Sequence, residues 1–165
     1  MQVQILLSMS RPDLADAVCK QMTQIDDDDV LTQLATASCA LFRQTEQSLD
    51  GALGILIEMH EKYGPTPLVS SLRAVVLLLQ KKSREAFQLL RQARDSARGA
   101  GHAASVDTLV NSAVCMYHRG TMTAAADDIV GKVLAELKQV HPGCAFFAKE
   151  AELDALFDRY AAQFA

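Results

Sequence analysis

The stretch Arg84-Glu85-Ala86-Phe87-Gln88-Leu89-Leu90 decides how this chain folds. It sets a small residue, Ala86, four positions ahead of a large apolar one, Leu90, so both lie on one face of a helix. Twelve residues upstream stands a second small residue, Ala74. Two helices joined by a turn at Lys81-Lys82 would cross at this level, where only small side chains let the backbones approach. The arrangement recurs along the chain. Ala15 precedes Cys19, with Val3 twelve residues before it, and Ala52 precedes Leu56, with Ala40 twelve before it. A fourth, weaker copy pairs Ala125 with Ile129 and looks back to Ala113.

The alanines at 15, 52, 86 and 125 stand 37, 34 and 39 residues apart. The period is that of tetratricopeptide hairpins, about 34 residues each. Helical signals fill the spaces between breaks: Gln2–Ser8, Pro12–Gln24, Val30–Thr45, Gln47–Tyr63, Pro67–Gln80, Ser83–Arg98, Ala103–Arg119, Met122–Val140 and Cys144–Phe164. Ser10 is placed to cap the second of these, with Pro12 in its first turn. Gly64-Pro65 and His141-Pro142-Gly143 are helix stops. Gly120 fits the turn of the fourth pair. Short connections between helices allow a closed bundle or a stack of hairpins, and the repeat favours the stack.

The fold class expected is all-α: an α-solenoid of tetratricopeptide-like hairpins with a C-terminal capping helix. Leu153, Leu156, Phe157, Tyr160 and Phe164 form one apolar stripe on that last helix, with Glu150, Glu152, Asp154 and Asp158 interspersed to leave a polar opposite face. The first helix has no polar cap before it. The expected organisation is therefore a single solenoid over 1–165, the closing part of a longer one.

Composition narrows the function. The chain has 165 residues, half of them hydrophobic, and a formal net charge of −4. No basic patch marks a nucleic-acid surface. The longest apolar runs, such as Ala74–Leu79, are too short to span a bilayer. Cys19, Cys39, Cys115 and Cys144 form no CxxC pair, and with no secretory signal they are expected as free thiols. Asp26–Asp29 lacks the glycine of a calcium loop and reads as carboxylates at a helix N-terminus. Gly99-Ala-Gly101 follows a helix, not a strand, so it reads as a connection rather than a phosphate loop. Cys115 and His118 could supply half a zinc site, but no other ligands are nominated. No nucleophile motif is present, and neither an enzyme nor a cofactor is expected.

Binding remains. The first helices of the hairpins offer apolar residues that point away from their partners: Leu68, Val75 and Leu79 on one, Val110, Val114 and Tyr117 on another. These residues either line an apolar groove for a partner segment or pack the solenoid core. Phe42 is a weaker candidate. A carboxylate clamp of the chaperone-binding type is disfavoured, because Asn111 is the single asparagine.

Several stretches carry a resemblance. Val3-Gln-Ile-Leu-Leu-Ser-Met9, Asp13-Leu-Ala15, Leu31-Thr-Gln-Leu-Ala35, Glu58-Met-His-Glu-Lys-Tyr-Gly64, the break at His141-Pro142 with Phe146 and Phe147 after it, and Phe157-Asp-Arg-Tyr160 occur in order along the chain. Together they resemble the C-terminal portion of the epsilon subunits of coatomer, the COPI vesicle coat. The resemblance implies a non-catalytic scaffold that binds the C-terminal domain of the alpha coat subunit and meets other coat subunits indirectly. It implies a cytoplasmic protein, peripheral on Golgi and COPI vesicle membranes through the coat, without membrane insertion of its own. Its transport steps would be Golgi-to-ER and intra-Golgi. Two features depart from the family: a longer Arg94–Ser105 connection, and Lys81-Lys82 where the family has a glycine. Another tetratricopeptide adaptor with an apolar groove is the alternative reading.

Overall fold

The computed structural model describes residues 1–118 and 124–164, with 124–126 described in backbone only. The described residues form nine helices and no strand: α1 (Gln2–Ser8), α2 (Pro12–Ile25), α3 (Val30–Arg43), α4 (Glu46–Tyr63), α5 (Pro67–Leu79), α6 (Ser83–Gly99), α7 (Val106–His118), α8 (Ala124–Val140) and α9 (Ala145–Ala161). Each helix from α1 to α7 packs on the next, and α1 also packs on α3 and α5 on α7. Contact between alternate helices is what stacked hairpins require, and it makes the fold an α-solenoid.

The repeat positions are where the hairpins close. Ala15, Ala52, Ala74 and Ala86 have no exposed surface, and Val3, Ala40 and Ala113 are also buried. So are Cys19, Leu56 and Leu90 four residues beyond the alanines. The core is divided accordingly. One apolar cluster holds Val3, Ala15, Cys19 and Cys39, a second centres on Ala52, Leu56 and Met59, a third on Ala74, Ala86 and Leu90, and a fourth on Leu109, Ala113 and Leu137.

The fourth copy is shifted from its expected register. Val130, Val133 and Leu137 are buried, whereas Ile129 is 37% exposed. Val130 therefore takes the large position, and the backbone position four earlier is 126 rather than 125. Three adjacent alanines, Ala124–Ala126, leave a sequence pattern unable to choose between them. Their side chains, like Gly120, lie outside the described residues.

Hairpin turns repeat as well. Ser10, Gln44 and Lys81 have φ of +56°, +55° and +64°, the left-handed region, and each follows the first helix of a hairpin. After α5 the Lys81 N–H donates to the Leu78 carbonyl at 2.9 Å and the Lys82 N–H to the Leu77 carbonyl at 2.8 Å. The Ser10 and Arg11 amides do the same to Leu7 and Leu6. These paired bonds are the usual way to satisfy the last carbonyls of a helix, and glycine is the residue that suits them. Here three side-chain-bearing residues take the conformation. Ser10 therefore ends α1 rather than capping α2, whose N-cap residue is Arg11 and uses no side-chain bond.

Other ends follow their polar side chains. Asp29 accepts from the amides of Leu31 and Thr32 at the start of α3, as the helix-terminus reading of the acidic run requires. Thr45, expected inside α3, instead caps α4 in a reciprocal box with Ser48. The helix expected from Ala103 begins at Val106, because the Ser105 hydroxyl accepts from the Thr108 amide. Residues 94–99 of the long connection belong to α6, which closes at Gly101 (φ +74°) with the His102 amide bonded to the Ala97 carbonyl.

The last helix departs most from expectation. Phe146 and Phe147 in its first turn meet edge to face and pack against the fourth cluster, but α9 contains no buried residue. Leu153, Phe157 and Tyr160 are 56%, 73% and 57% exposed. The expected capping helix is thus a cap only at its N-terminal turn; beyond it the residues of the apolar stripe are exposed among the described residues. Periodicity identified the stripe but could not specify what it faces.

Candidate partner-binding surface

The six residues expected to form a groove lie on two helices that pack on each other. On α5 one side is committed to the core through Val69, Ala74, Val76 and Leu77. On α7 the corresponding side is Leu109, Ala113, Cys115 and Met116. Leu68, Val75 and Leu79, spaced i, i+7 and i+11, fall on the opposite face of α5. Leu68 is 52% exposed and the other two are half-buried. Val110, Val114 and Tyr117 share the open face of α7, with Tyr117 52% exposed. Leu79 and Val110 also pack against core clusters from their outer edges, so they bridge core and surface.

A hydroxyl pair, Ser71 of α5 and Thr108 of α7, joins the two helices, with further hydroxyls of α7 and its N-terminal flank around it. Ser71 Oγ lies 3.3 Å from Thr108 Oγ1, Ser105 Oγ lies 2.8 Å from the same atom, and the Ser112 hydroxyl donates to the Thr108 carbonyl at 2.6 Å. Ser71, Thr108 and Ser112 are all buried. Small polar residues bring α5 and α7 together and satisfy one another, so the desolvated hydroxyls carry no unpaired group. This holds the two open faces side by side. Their small size at helical spacing was the only sequence signal for it.

The open face of α7 is not purely apolar. Asp107, Asn111 and His118 share it with Val114 at i, i+4 and i+11, and none of them is buried. A partner would meet an apolar α5 and a mixed α7. The first helix of the second pair adds a face that sequence reasoning undervalued. Leu31 and Phe42, eleven residues apart on α3, are 67% and 42% exposed. Leu31, Leu34 and Ala35 line a groove of about 300 Å³ with Val18 and Met22 of α2 and the start of α1. Leu31 could have been found by the i, i+4, i+7, i+11 spacing of Leu31, Ala35, Ser38 and Phe42.

Cys115 is fully buried whereas His118 is exposed, so the two do not share a site. Burial pushes the Cys115 thiol up to about 12. Burial, followed by the Cys19 thiol beside it, pushes Cys39 up to about 12 as well. No group of three His, Cys, Asp or Glu side chains among the described residues is placed to hold a metal ion. No helix among them is long and apolar enough to cross a membrane.

The chain matches the family model of the coatomer epsilon subunit over residues 1–165. It is 35% identical to a Caenorhabditis elegans protein named coatomer subunit epsilon over 162 residues, 97% of this chain and 51% of that protein. It is 31% identical to coatomer subunit epsilon-1 of Arabidopsis thaliana over all 165 residues, 52% of that protein, and 28% identical over 158 residues to coatomer subunit epsilon of Dictyostelium discoideum, half of whose length is covered. The chain spans about half the length of the curated relatives it matches. Matched from end to end by one family model and along nearly its whole length by relatives up to 35% identical, this α-solenoid belongs to the coatomer epsilon subunit family.

Proposed function

We propose that this chain is a non-catalytic scaffold of the COPI coat that holds the C-terminal domain of the coat's alpha subunit. The observation that carries the reading is the match of the whole chain to the epsilon family. The open faces of α5 and α7, apolar on the first and mixed on the second, are the surface on which such a partner would rest. In this reading Leu68, Val75 and Tyr117 insert into the partner, while Leu79, Val110 and Val114 support them from below. The protein works in the cytoplasm, held on Golgi and vesicle membranes by the rest of the coat, in Golgi-to-ER and intra-Golgi transport. Its contribution is geometric: a rigid stack fixes the relative placement of coat subunits and catalyses nothing.

The test is calorimetric titration of the chain with the purified C-terminal domain of the alpha coat protein. A complex with micromolar or tighter affinity is expected. Leu68→Asp and Tyr117→Ala are expected to weaken it about tenfold or more, the cost of losing an anchor worth over 1 kcal/mol. No complex between two folded partners would refute the assignment of partner. A complex insensitive to both variants would refute the assignment of surface.

A further inference from the structure

Cys19 of α2 and Cys39 of α3 face each other in the first core cluster, with their sulfurs 3.3 Å apart. Both are free thiols, 7% and 4% exposed. Cys19 holds the repeat position that Leu56 and Leu90 fill in the next two hairpins. An isolated thiol there would be a modest filler of a leucine-sized place. Two thiols meeting across the boundary between the first and second hairpins are a chemically distinct arrangement. A disulfide needs its sulfurs at about 2.05 Å, so closure asks each side chain to move by only about 0.6 Å.

We propose that Cys19 and Cys39 are a site of oxidative modification, forming a disulfide that staples α2 to α3 when a small-molecule disulfide such as oxidised glutathione is in excess. At rest the pair stays reduced, since burial holds Cys39 as the protonated thiol and thiolate is the reactive form. Access comes from local opening of the α1–α2 hairpin. α1 is only seven residues long, and Val3 is its one buried residue, so this is the kind of segment that opens locally without global unfolding. Once open, the Cys19 thiolate attacks one sulfur of glutathione disulfide. That S–S bond breaks and one glutathione thiolate leaves. The deprotonated Cys39 sulfur then attacks the Cys19 sulfur of the mixed disulfide and expels the second glutathione thiolate. The two cysteines lose two electrons, glutathione disulfide gains them, and the two protons end on the released thiols. The ring closed is short, spanning twenty positions, and it links consecutive hairpins across the boundary where stacked repeats can separate.

The experiment oxidises the full chain with excess glutathione disulfide a few degrees below its melting temperature, then denatures it in guanidinium containing N-ethylmaleimide and reads the intact mass and a peptide map. The expected product has lost about 2 Da before labelling, takes up two maleimides instead of four, and yields one Cys19–Cys39 linked peptide. Its melting temperature is expected to rise by roughly 5 °C or more, and dithiothreitol reverses the change. Cys19→Ser is expected to remove both the bridge and the shift. Uptake of four maleimides after oxidation, a bridge that uses Cys115 or Cys144, or a bridged form that melts lower than the reduced one would each overturn the proposal.

Discussion

The left-handed residue at the end of α5 offers the cleanest test of how this sequence departs from an ideal hairpin. Lys81 has φ +64° and an exposed side chain, and its amide closes the helix through Leu78. Holding a residue with a Cβ in this region costs roughly 1–2 kcal/mol. Glycine is unstrained there, but it frees the unfolded chain by roughly 0.5–1 kcal/mol. Taken near the middle of both ranges, the difference leaves Lys81→Gly more stable by about 0.5–1 kcal/mol. In urea, with a slope of about 2 kcal/mol per molar, the midpoint should rise by about 0.25–0.5 M. Circular dichroism in the far ultraviolet would follow it, because the fold is all helix. Lys81→Ala serves as the control: it removes the same side chain while keeping the strained backbone, so its midpoint should not rise. A Lys81→Gly midpoint equal to or below wild type, alongside an unchanged Lys81→Ala, would refute the idea that this turn stores strain. Gln44→Gly should behave like Lys81→Gly, because Gln44 has φ +55° at the corresponding turn.

Three further outcomes are expected. Thr108→Val keeps the shape of the α5–α7 seam but leaves the buried Ser71 hydroxyl without the partner it has now; thermal melts should show a loss of roughly 1–3 kcal/mol, partly recovered by adding Ser71→Ala. The Cys115 thiol, pushed by burial up to about 12 from 9.0, stays protonated in the folded chain after the unfolded chain has given up its proton. Stability is therefore unaffected below about pH 9 and falls above it, by at most about 1.4 kcal/mol per pH unit from this group; urea titrations at about pH 8, 9 and 10 should show the fall, and Cys115→Ala should flatten it. Asp29→Ala removes the cap that Leu31 and Thr32 use and should cost about 1 kcal/mol, while millimolar calcium should leave the wild-type melting temperature where it is.

The hairpin core was legible in advance because burial at a helix crossing selects for size. Ala74 with Ala86, and Ala40 with Ala52, are forced by the closeness of two backbones, and that demand leaves a period in the sequence. Asp29 was legible for a similar reason, since a carboxylate ahead of an apolar helical run satisfies amides that would otherwise be bare. The turns were less so. Gln44 and Lys81 take a conformation that glycine prefers, and a residue chosen against its preference gives no local signal. The candidate surface was half legible: the open face of α5 follows from spacing alone, but the polar line on α7 and the contribution of Leu31 depend on which neighbours leave those faces uncovered.

The sequence alone determined that the chain is helical, that it repeats in hairpins, and which small residues hold each pair together, because these depend on contacts between near neighbours in the chain. It also carried the family, through stretches spread along its whole length. The tertiary structure decided what lies between hairpins: the hydroxyl seam of Ser71 and Thr108, the meeting of Cys19 with Cys39, the one-residue shift that buries Val130, and the uncovered stripe of α9. Each of these turns on the rotation of one helix about its axis against another. A hydrophobic period reports how often a face returns, and only packing sets the direction in which it points.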